Sequence, residues 1–525
     1  MKNILIAIRS IFKKGRHNVM KIVSLGIGLA VGLVLIAKVY FEQSYDDFYP
    51  DRDRVYQVWA KYQQNGGELK DYPQTSGGIA PTMQQQIPEI ETVTRYTSFG
   101  DWTFTMTDTK MKYSGRCIIA DSCFFDILPR PMLIGNAKEV LSIPMYVLVS
   151  SRIAKNIGGD VIGKNFTVDS SPGRTMTIGG VFEEVPENSH SRYDVIVSMA
   201  SAGRFMWEGS PTNMLGNDRY ISYVKLHKGV NPLALEEQVH TFVNSYFPPE
   251  EQQKTGFNIG FSFHELDGLH KELPQVKRMT WILSLLAFAL IFTAVMNYIL
   301  IVISSIVNRS KEVAVHKCYG ASENNIHGMM FGEALVHIVL SLILALLLIL
   351  AFRGTVEELL ATSLDSLLLS NGSLVLLGIC ILVFFVSGFM PGSLYARIPV
   401  ASAFRNYREN KRIWKKALLL VQFVATGFLV TMLVFVARQY TFMVNDRPGY
   451  AYENLAYCGL AGVDSTSRAK ILDEVMRLPG VVAATTVYQL PFEHASGNNI
   501  LLPGETQELF NIADLYWVGN GYLDM

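Results

Sequence analysis

One glycine-rich stretch of this sequence comes within a single residue of a phosphate-binding loop. Gly158–Asn165 reads GGDVIGKN and has the G-x-x-x-x-G-K spacing with which such loops hold the phosphates of a nucleotide. Asn165 occupies the position where the loop requires a serine or threonine hydroxyl for magnesium. We therefore interpret the stretch as a glycine-rich turn. On this interpretation the chain has no nucleotide site of its own, and ATP-driven work requires a partner subunit.

No other residues have the spacing of a catalytic or metal site. The sequence contains neither the G-x-S-x-G motif of serine hydrolases nor the H-E-x-x-H motif of zinc proteases. His190 and His494 lie in polar stretches and are predicted to be solvated. Asp46, Asp47, Glu89 and Glu91 are predicted to be surface carboxylates without partners. We expect no enzyme activity, no metal and no cofactor in this chain, with ATP bound by the partner subunit.

The composition indicates a chain that lies partly in lipid. Of its 525 residues 49% are apolar, and the mean hydropathy is +0.21. The formal net charge is zero, so no basic excess indicates nucleic acid. The five cysteines show no metal-ligand spacing. Cys117 and Cys123 are close in sequence; a disulfide is one interpretation, and two unpaired thiols are the favoured one.

Glu333 and His337 are four residues apart and share one face of a predicted membrane helix. Ionisable residues in lipid indicate a functional relay by default. These two lie near the predicted cytoplasmic interface, where pairing is less costly, so we favour a structural contact. Asn297, in the preceding apolar run, is predicted to form an interhelical hydrogen bond.

The segment Asn308–Ser322, NRSKEVAVHKCYGAS, lies between two apolar runs of membrane-spanning length, Thr280–Ile303 and Ala334–Phe352. Glu312–Cys318 is predicted to be helical, and Gly320 allows the helix to end and the chain to turn. A basic loop without function is the alternative interpretation. A helix held at both ends by membrane spans cannot move independently of them. We therefore expect this segment to pass force from a soluble partner into the membrane.

Five apolar runs are long enough to cross a bilayer, and soluble α/β sequence follows the first and the last of them. The predicted fold class is an α-helical membrane protein of about five transmembrane helices with mixed α/β domains outside the membrane. The predicted segments are an amphipathic interfacial helix at 1–17, spans at 18–40, 279–304, 331–353, 374–394 and 417–438, a soluble domain at 41–278, a coupling segment at 305–330, an outer loop at 354–373, a basic linker at 395–416, and the start of a second soluble domain at 439–525.

The first span carries its own signals. Gly26, Gly28 and Gly32 would permit close contact with another helix. The apolar run Ile22–Ala37 extends to roughly 20 residues if Lys21 and Lys38 snorkel to the two interfaces. A cleaved signal peptide is the alternative. The run is long and AKVYFEQ is a poor cleavage sequence, so we favour an uncleaved anchor.

Charge predicts the orientation of the spans. Residues 1–21 carry lysines and arginines without an acid, and the linker 395–416 is strongly basic against the acid Glu409. The 353–373 loop is acidic instead. Because basic loops stay in the cytoplasm, the N-terminus and the coupling segment are predicted to be cytoplasmic and both soluble domains to lie outside.

The two ends of the chain repeat one another in order. QSYDDFYPDRDRVYQVWA (43–60) pairs with RQYTFMVNDRPGYAYENLAY (438–457), and IPEIETVTRY (87–96) pairs loosely with LPGVVAATTVY (478–488). ADSCFFDIL (120–128) parallels VGNGYLDM (518–525). We interpret this as a duplication whose second copy is truncated at the C-terminus.

Motifs along nearly the whole chain carry a family likeness. They are IAIRSIF, SLGIGLAVGLVLI, SYDDFYPDRDRVYQV, ADSCFFDIL, SSRIAKNIGGDVIGKNFTV, VFEEVPENSHSRYDV, RSKEVAVHKCYGAS, PGSLYARIPVASAFRN and KKALLLVQFVATGFLVTMLVFVARQY. With these motifs the chain resembles the FtsX/MacB-type permeases of ABC transporters, the mechanotransmission class, and especially their tandem-duplicated Bacteroidetes form.

The resemblance implies a fold, partners and a site. It implies periplasmic domains of the MacB-like core type, a multi-pass protein of the bacterial inner membrane, and a cytoplasmic ABC ATPase as partner. It also implies a periplasmic adaptor and an outer-membrane channel, with homodimerisation of this chain if two ATPases are to dock symmetrically. The residues implied to dock the ATPase are Arg309, Glu312, Lys317, Gly320, Ala321 and Ser322.

Three functions are compatible with these features. The leading hypothesis is the permease subunit of an ATP-driven complex for efflux or for lipoprotein or lipid handling. The alternative is a non-transporting mechanotransmission scaffold that regulates a periplasmic cell-wall hydrolase or sensor. A membrane-anchored enzyme is the third, and it requires a catalytic constellation that the sequence does not present.

Overall fold

The computed structural model describes residues 17–64, 67–168, 171–216, 218–369, 372–396, 400, 413–446, 453–460, 463–490, 497–503 and 508–524. The interfacial helix predicted at 1–17 and most of the basic linker predicted at 395–416 lie outside these residues, as does His494.

The described elements alternate between long apolar helices and a mixed α/β region. The helices are α1 (Asn18–Gln43), α2 (Ile79–Gln86), α3 (Phe124–Ile127), α4 (Ala137–Ser142), α5 (Ser151–Ile157), α6 (Ala202–Phe205), α7 (Glu236–Tyr246), α8 (Pro249–Thr255), α9 (Gly268–Lys271), α10 (Pro274–Ser304), α11 (Ile306–Cys318), α12 (Glu323–Ala351), α13 (Arg353–Leu360), α14 (Leu364–Leu368), α15 (Ser373–Ala396), α16 (Ile413–Asn445) and α17 (Ser465–Met476). The strands are β1 (Val55–Gln64), β2 (Lys70–Tyr72), β3 (Ile90–Met106), β4 (Lys112–Ala120), β5 (Met132–Ile134), β6 (Tyr146–Ser150), β7 (Asn165–Val168), β8 (Ser171–Phe182), β9 (Val195–Ser198), β10 (Ile221–Leu226), β11 (Phe257–Glu265), β12 (Gly497–Leu501) and β13 (Glu508–Asp514).

Two compact units contain these elements. The first comprises residues 1–101, 115–163 and 177–439, and the second comprises residues 102–114, 164–176 and 440–525. In the second unit the end of β3 pairs with β7, and β12 pairs with β13. The α/β part of the first unit that precedes α10 is called the core domain below.

Five of the described helices are long and apolar enough to cross a membrane: α1, α10, α12, α15 and α16. This confirms the predicted number of spans. The helices pack where small residues allow close approach. A Cβ atom added to Gly28 of α1 would lie 2.2 Å from the Cβ of Ala294 on α10, which is far inside van der Waals contact. The predicted role of the first-span glycines is therefore confirmed at this position.

The core domain is built on one sheet with a core on each face. The strand order is β11-β1-β10-β3-β4-β9-β6-β8-β5, with β2 paired to β1. Successive residues of a strand point to opposite faces. Val55 and Tyr223 accordingly join one buried cluster, while Tyr56 and Val224 join the other, beneath α2 and α7. The predicted mixed α/β domain is confirmed.

Candidate functional site

The segment between the second and third spans begins as a helix fixed to the membrane bundle. α11 starts directly after α10, with Ser305 between them, and it includes the predicted helical residues Glu312–Cys318. Ser310, Val313 and Ala314 share one helical face and are each 1% exposed. Val313 and Ala314 belong to the same buried apolar cluster as residues of α1, α10, α12 and α15. This face of α11 is therefore part of the bundle.

The opposite face of α11 is open. Lys311, Val315 and Tyr319 recur every four residues along it, and all three are exposed. Tyr319 is 89% exposed, and aromatic side chains are enriched at protein interfaces. His316 and Cys318 flank this face and are also exposed. Tyr319 is not among the docking residues predicted from the sequence. The signal for it is the spacing of Val315 and Tyr319, an apolar and an aromatic residue four positions apart in a basic segment.

The Gly-Ala-Ser sequence after α11 is explained by two helix caps. Gly320 has a φ of 85°, and its N–H donates to the carbonyl of Lys317 at 3.0 Å, while the N–H of Ala321 donates to the carbonyl of His316 at 3.0 Å. These two bonds form the Schellman motif, whose left-handed position favours glycine. Ser322 is the N-cap of α12, and its hydroxyl accepts from the N–H of Asn325 at 3.4 Å. The turn between the two helices is thus fixed by residue type.

The predicted docking residues occupy this one segment. Ser322 and Gly320 are exposed in the turn, whereas Glu312, Lys317 and Ala321 are half-buried. Lys317 lies one turn beyond Val313 and Ala314, on the side of α11 that faces the bundle. Arg309 belongs to α11, and its side chain lies outside what the structure describes.

A buried polar cluster lies at the start of the third span. The Nζ atom of Lys21 on α1 lies 3.5 Å from the Oε1 atom of Glu333 on α12, and the Lys21 side chain is 0% exposed. The hydroxyl of Tyr298 on α10 lies 3.1 Å from the Nδ1 atom of His337. Glu333 and His337 therefore make the structural contacts that we favoured. The expectation that Lys21 snorkels is wrong, because a carboxylate inside the bundle provides a closer partner than the interface.

A second polar cluster joins the other end of α1 to two further elements. The Nζ atom of Lys38 lies 2.7 Å from the Oε1 atom of Glu42 and donates to the hydroxyl of Thr362 at 2.8 Å. The Nε2 atom of His270, just before α10, lies 2.6 Å from the Oε2 atom of Glu42. Lys38 is buried rather than snorkelled, because its amine is drawn into these contacts. The first span is thus bonded to the α13–α14 loop and to the start of the second span.

The loop after α1 is attached to the core domain through a buried aspartate. Asp46 is 0% exposed, and its Oδ2 atom lies 2.7 Å from the Nδ1 atom of His190. The Nε2 atom of the same histidine lies 2.5 Å from the hydroxyl of Tyr223. The predictions of a solvated His190 and an unpartnered Asp46 are wrong, because the partners come from distant parts of the sequence.

The other carboxylates that were predicted to be unpartnered have partners, and the glycine-rich stretch forms a turn. Asp47 pairs with Arg52 at 2.8 Å, and Glu91 pairs with Arg54 at 2.7 Å. Glu89 accepts a hydrogen bond from the side-chain amide of Gln238 at 2.8 Å, so the prediction that these carboxylates have no partners is wrong. The glycine-rich stretch is a turn as predicted, with positive φ at its glycines, Gly158, Gly159 and Gly163.

The two cysteines that are close in sequence are free thiols. Cys117 is fully buried, and burial raises the pKa of its thiol well above the usual value. Cys123 is half-buried, and its Sγ atom lies 3.1 Å from the carbonyl of Val93.

Comparison with known proteins assigns both parts of the first unit. Residues 20–242 match the model of the MacB-like periplasmic core domain, and residues 284–400 match the model of the FtsX-like permease C-terminal domain. No curated protein matches this chain.

Three solved structures are similar to part of it. The first is a domain of a protein described as a permease, from Porphyromonas gingivalis, with 32% identity over 41% of this chain and 91% of that one, at a TM-score of 0.38. The second is the periplasmic region of MacB from Actinobacillus actinomycetemcomitans, with 16% identity over 39% and 87%, at a TM-score of 0.27. The third is the extracellular domain of the ABC-type transporter YknZ from Gram-positive bacteria, with 10% identity over 39% and 98%, at a TM-score of 0.28.

The fold and the two matched domains define a multi-pass membrane protein with an α/β domain of the MacB-like periplasmic core type. The chain belongs to the FtsX/MacB-type permeases of ABC transporters. It is a transmembrane subunit of that class.

Proposed function

We propose that this subunit couples ATP hydrolysis by a separate cytoplasmic ABC ATPase to a conformational change in its periplasmic domains. The residues of α11 and of the turn after it form the ATPase-docking element in this proposal. The chain works in the bacterial inner membrane, and efflux or lipoprotein and lipid handling on the periplasmic side is the transport function it serves. A periplasmic adaptor and an outer-membrane channel are the further partners that such a role requires.

One observation carries the proposal: α11 has one face inside the membrane bundle and one face open. Val313 and Ala314 share a buried cluster with Leu29 of α1 and Tyr298 of α10. Interiors are close-packed and transmit strain, so displacement of α11 must displace these spans. The open face, with Tyr319, is where a soluble partner could exert that displacement.

The route to the periplasmic side follows α1. At one end α1 is tied to α12 by the contact between Lys21 and Glu333. At its other end, the carbonyl of Ser44 accepts a hydrogen bond from Asn188 of the core domain at 2.6 Å. The backbone N–H of Ser363, in the α13–α14 loop, donates to Glu187 of the same domain at 2.9 Å. Movement of the bundle therefore reaches the core domain through two separate attachments.

Two native cysteines test the proposed orientation. Cys318 on α11 and Cys458 beyond the fifth span are both exposed, and the loop charges predict that they lie on opposite sides of the membrane. We expect a membrane-impermeant maleimide to label Cys458 in spheroplasts and Cys318 in inside-out vesicles, with peptide mass spectrometry as the readout. Each cysteine serves as the control for the other. Labelling of Cys318 in intact spheroplasts would contradict the orientation and remove the docking assignment with it.

The docking assignment is tested with a candidate cytoplasmic ABC ATPase as the partner. We expect Tyr319→Ala to weaken ATPase binding about 30-fold, because truncating an interface aromatic typically costs about 2 kcal/mol. Charge reversal with Glu312→Lys and Lys317→Glu together is expected to abolish capture of the ATPase. Binding is measured with the purified full chain in detergent by titration against the ATPase.

The matched control is Tyr457→Ala. Tyr457 is 78% exposed, and it lies in the region beyond the fifth span that the loop charges place outside the cytoplasm. This variant should bind the ATPase as the wild type does. Equal binding by the wild type and by the Tyr319 and charge-reversal variants would show that α11 is not the docking element.

A further inference from the structure

A polar recess lies where the spans leave the membrane for the core domain. It has a volume of about 470 Å³ and is lined by residues from four parts of the chain. Tyr45 follows α1, Leu273 precedes α10, Ala361 belongs to the loop after α13, and Arg116 and Arg192 come from the core domain. The recess therefore lies between the ends of the apolar spans and the core domain.

The arginines at this recess are not neutralised by the acids near it. Among the residues that the structure describes, no carboxylate is paired with the guanidinium of Arg116 or Arg192; Arg192 donates to the backbone carbonyl of Glu187. The Glu187 carboxylate accepts from the N–H of Ser363, and Asp194 pairs with Arg152 at 2.6 Å. The guanidinium groups of this recess are thus available to an anion.

The remaining acids near the recess are also occupied. Glu42 is bonded to Lys38 and His270, and Asp46 is bonded to His190. Both histidines line the recess, and each directs a ring nitrogen to its own carboxylate. These pairs hold the wall of the recess in place without competing for the two arginines.

The chemistry of the lining selects the anion. Guanidinium groups match the geometry of phosphate oxygens and bind them by paired, charge-assisted hydrogen bonds. The half-buried side chains of Leu269 and Leu273 supply apolar surface beside the arginines, which a free inorganic ion would not use. Trp281, two turns into α10, is 78% exposed, and exposed tryptophans mark the headgroup level of a membrane.

We propose that this recess binds the phosphate of a phospholipid headgroup from the adjacent leaflet, through Arg116 and Arg192. Basic pockets beside membrane helices bind lipid headgroups on this principle. A lipid held there contacts the first span, the second span and the core domain together. The proposal does not depend on ATPase docking, and each can fail without the other.

The test uses the full chain reconstituted in vesicles of phosphatidylethanolamine and phosphatidylglycerol. A trace of phosphatidylethanolamine carries a photoactivatable group in its headgroup, and cross-linked peptides are identified by mass spectrometry. We expect labelling of the peptides that contain Tyr45, Arg192 and Leu273. The double variant Arg116→Gln/Arg192→Gln should lower that labelling about tenfold, which corresponds to about 1.4 kcal/mol.

Two further variants keep the result interpretable. Arg116→Lys/Arg192→Lys keeps the charge and should retain intermediate labelling, which separates loss of binding from loss of folding. Arg204→Gln changes an exposed core-domain arginine that does not line the recess and should label as the wild type does. Labelling that is equal in the wild type and the double Gln variant would overturn the proposal.

Inorganic phosphate distinguishes the two sources of the anion. If the recess binds a lipid headgroup, millimolar inorganic phosphate should leave the labelling unchanged. The free ion makes no contact with the apolar side chains of the recess and should therefore compete poorly with the lipid. Loss of labelling in wild-type protein on addition of phosphate would show that the recess binds the free ion, and would overturn the lipid assignment.

Discussion

Replacing Lys21 with methionine is expected to destabilise the membrane bundle by about 3–5 kcal/mol, because removal of one partner of a buried ion pair is strongly destabilising. Lys21 is 0% exposed, and its amine lies 3.5 Å from the Glu333 carboxylate and 3.3 Å from the side-chain oxygen of Asn18. An isolated carboxylate inside a membrane bundle is costly, so the loss should appear directly in unfolding. The measurement is denaturant unfolding of the full chain in detergent.

The double variant Lys21→Met/Glu333→Gln separates the charge from the packing. It also removes the carboxylate charge and should recover most of the lost stability, since replacing a whole buried pair is often close to neutral. Lys277→Met is the matched control. Lys277 pairs with Glu272 at an exposed site, where an ion pair contributes little to stability. Equal instability of the single and double variants would show that Lys21 acts by packing and not by its charge.

The membrane part of the fold was predictable because its signals are local. Each span is a continuous apolar run, and the Gly-Ala-Ser turn after α11 uses residues whose backbone preferences fix a helix end and a helix start. The close approach at Gly28 was predictable for the same reason, since small residues in a span allow contact whichever helix supplies it.

The contacts between distant segments were not predictable from one sequence. Lys21 is followed by an apolar run, and nothing near it in sequence indicates that Glu333 will be its partner. Asp46 precedes β1 and His190 lies between β8 and β9, and Tyr223 on β10, the neighbour of β1, joins them. Such pairings depend on strand order, and hydrophobic alternation predicts strands without predicting their neighbours. The open face of α11 was not predicted, because tertiary packing, and not composition, determines which face of a helix is exposed.

Replacing Arg95 with alanine is expected to destabilise the core domain by about 3–5 kcal/mol, because several buried acceptors lose one donor at once. Arg95 is 9% exposed, and its Nε atom lies 3.2 Å from the Oδ2 atom of Asp121. Its Nη1 atom donates to the carbonyls of Gly77 and Pro211, so one guanidinium joins β3 to two loops. The measurement is the free energy of unfolding from denaturant titration of the full chain, with Arg204→Ala as an exposed control that should change it by less than about 0.5 kcal/mol.

The pH dependence of this loss identifies the Asp121 carboxylate as its cause. Burial raises the pKa of Asp121 above its ordinary value of 3.8, and Arg95 opposes that rise. In the folded protein Asp121 keeps its proton to a higher pH than it does in the unfolded chain. The free energy of unfolding therefore falls as the pH rises from 3.8 to the raised pKa, and it recovers as the pH is lowered again. Removing Arg95 raises the folded pKa further, so the deficit of Arg95→Ala relative to wild type should be largest at neutral pH and should shrink as the pH is lowered towards 3.8. A deficit that stays constant over this range would mean that the lost carbonyl contacts, and not the buried charge, cause the instability.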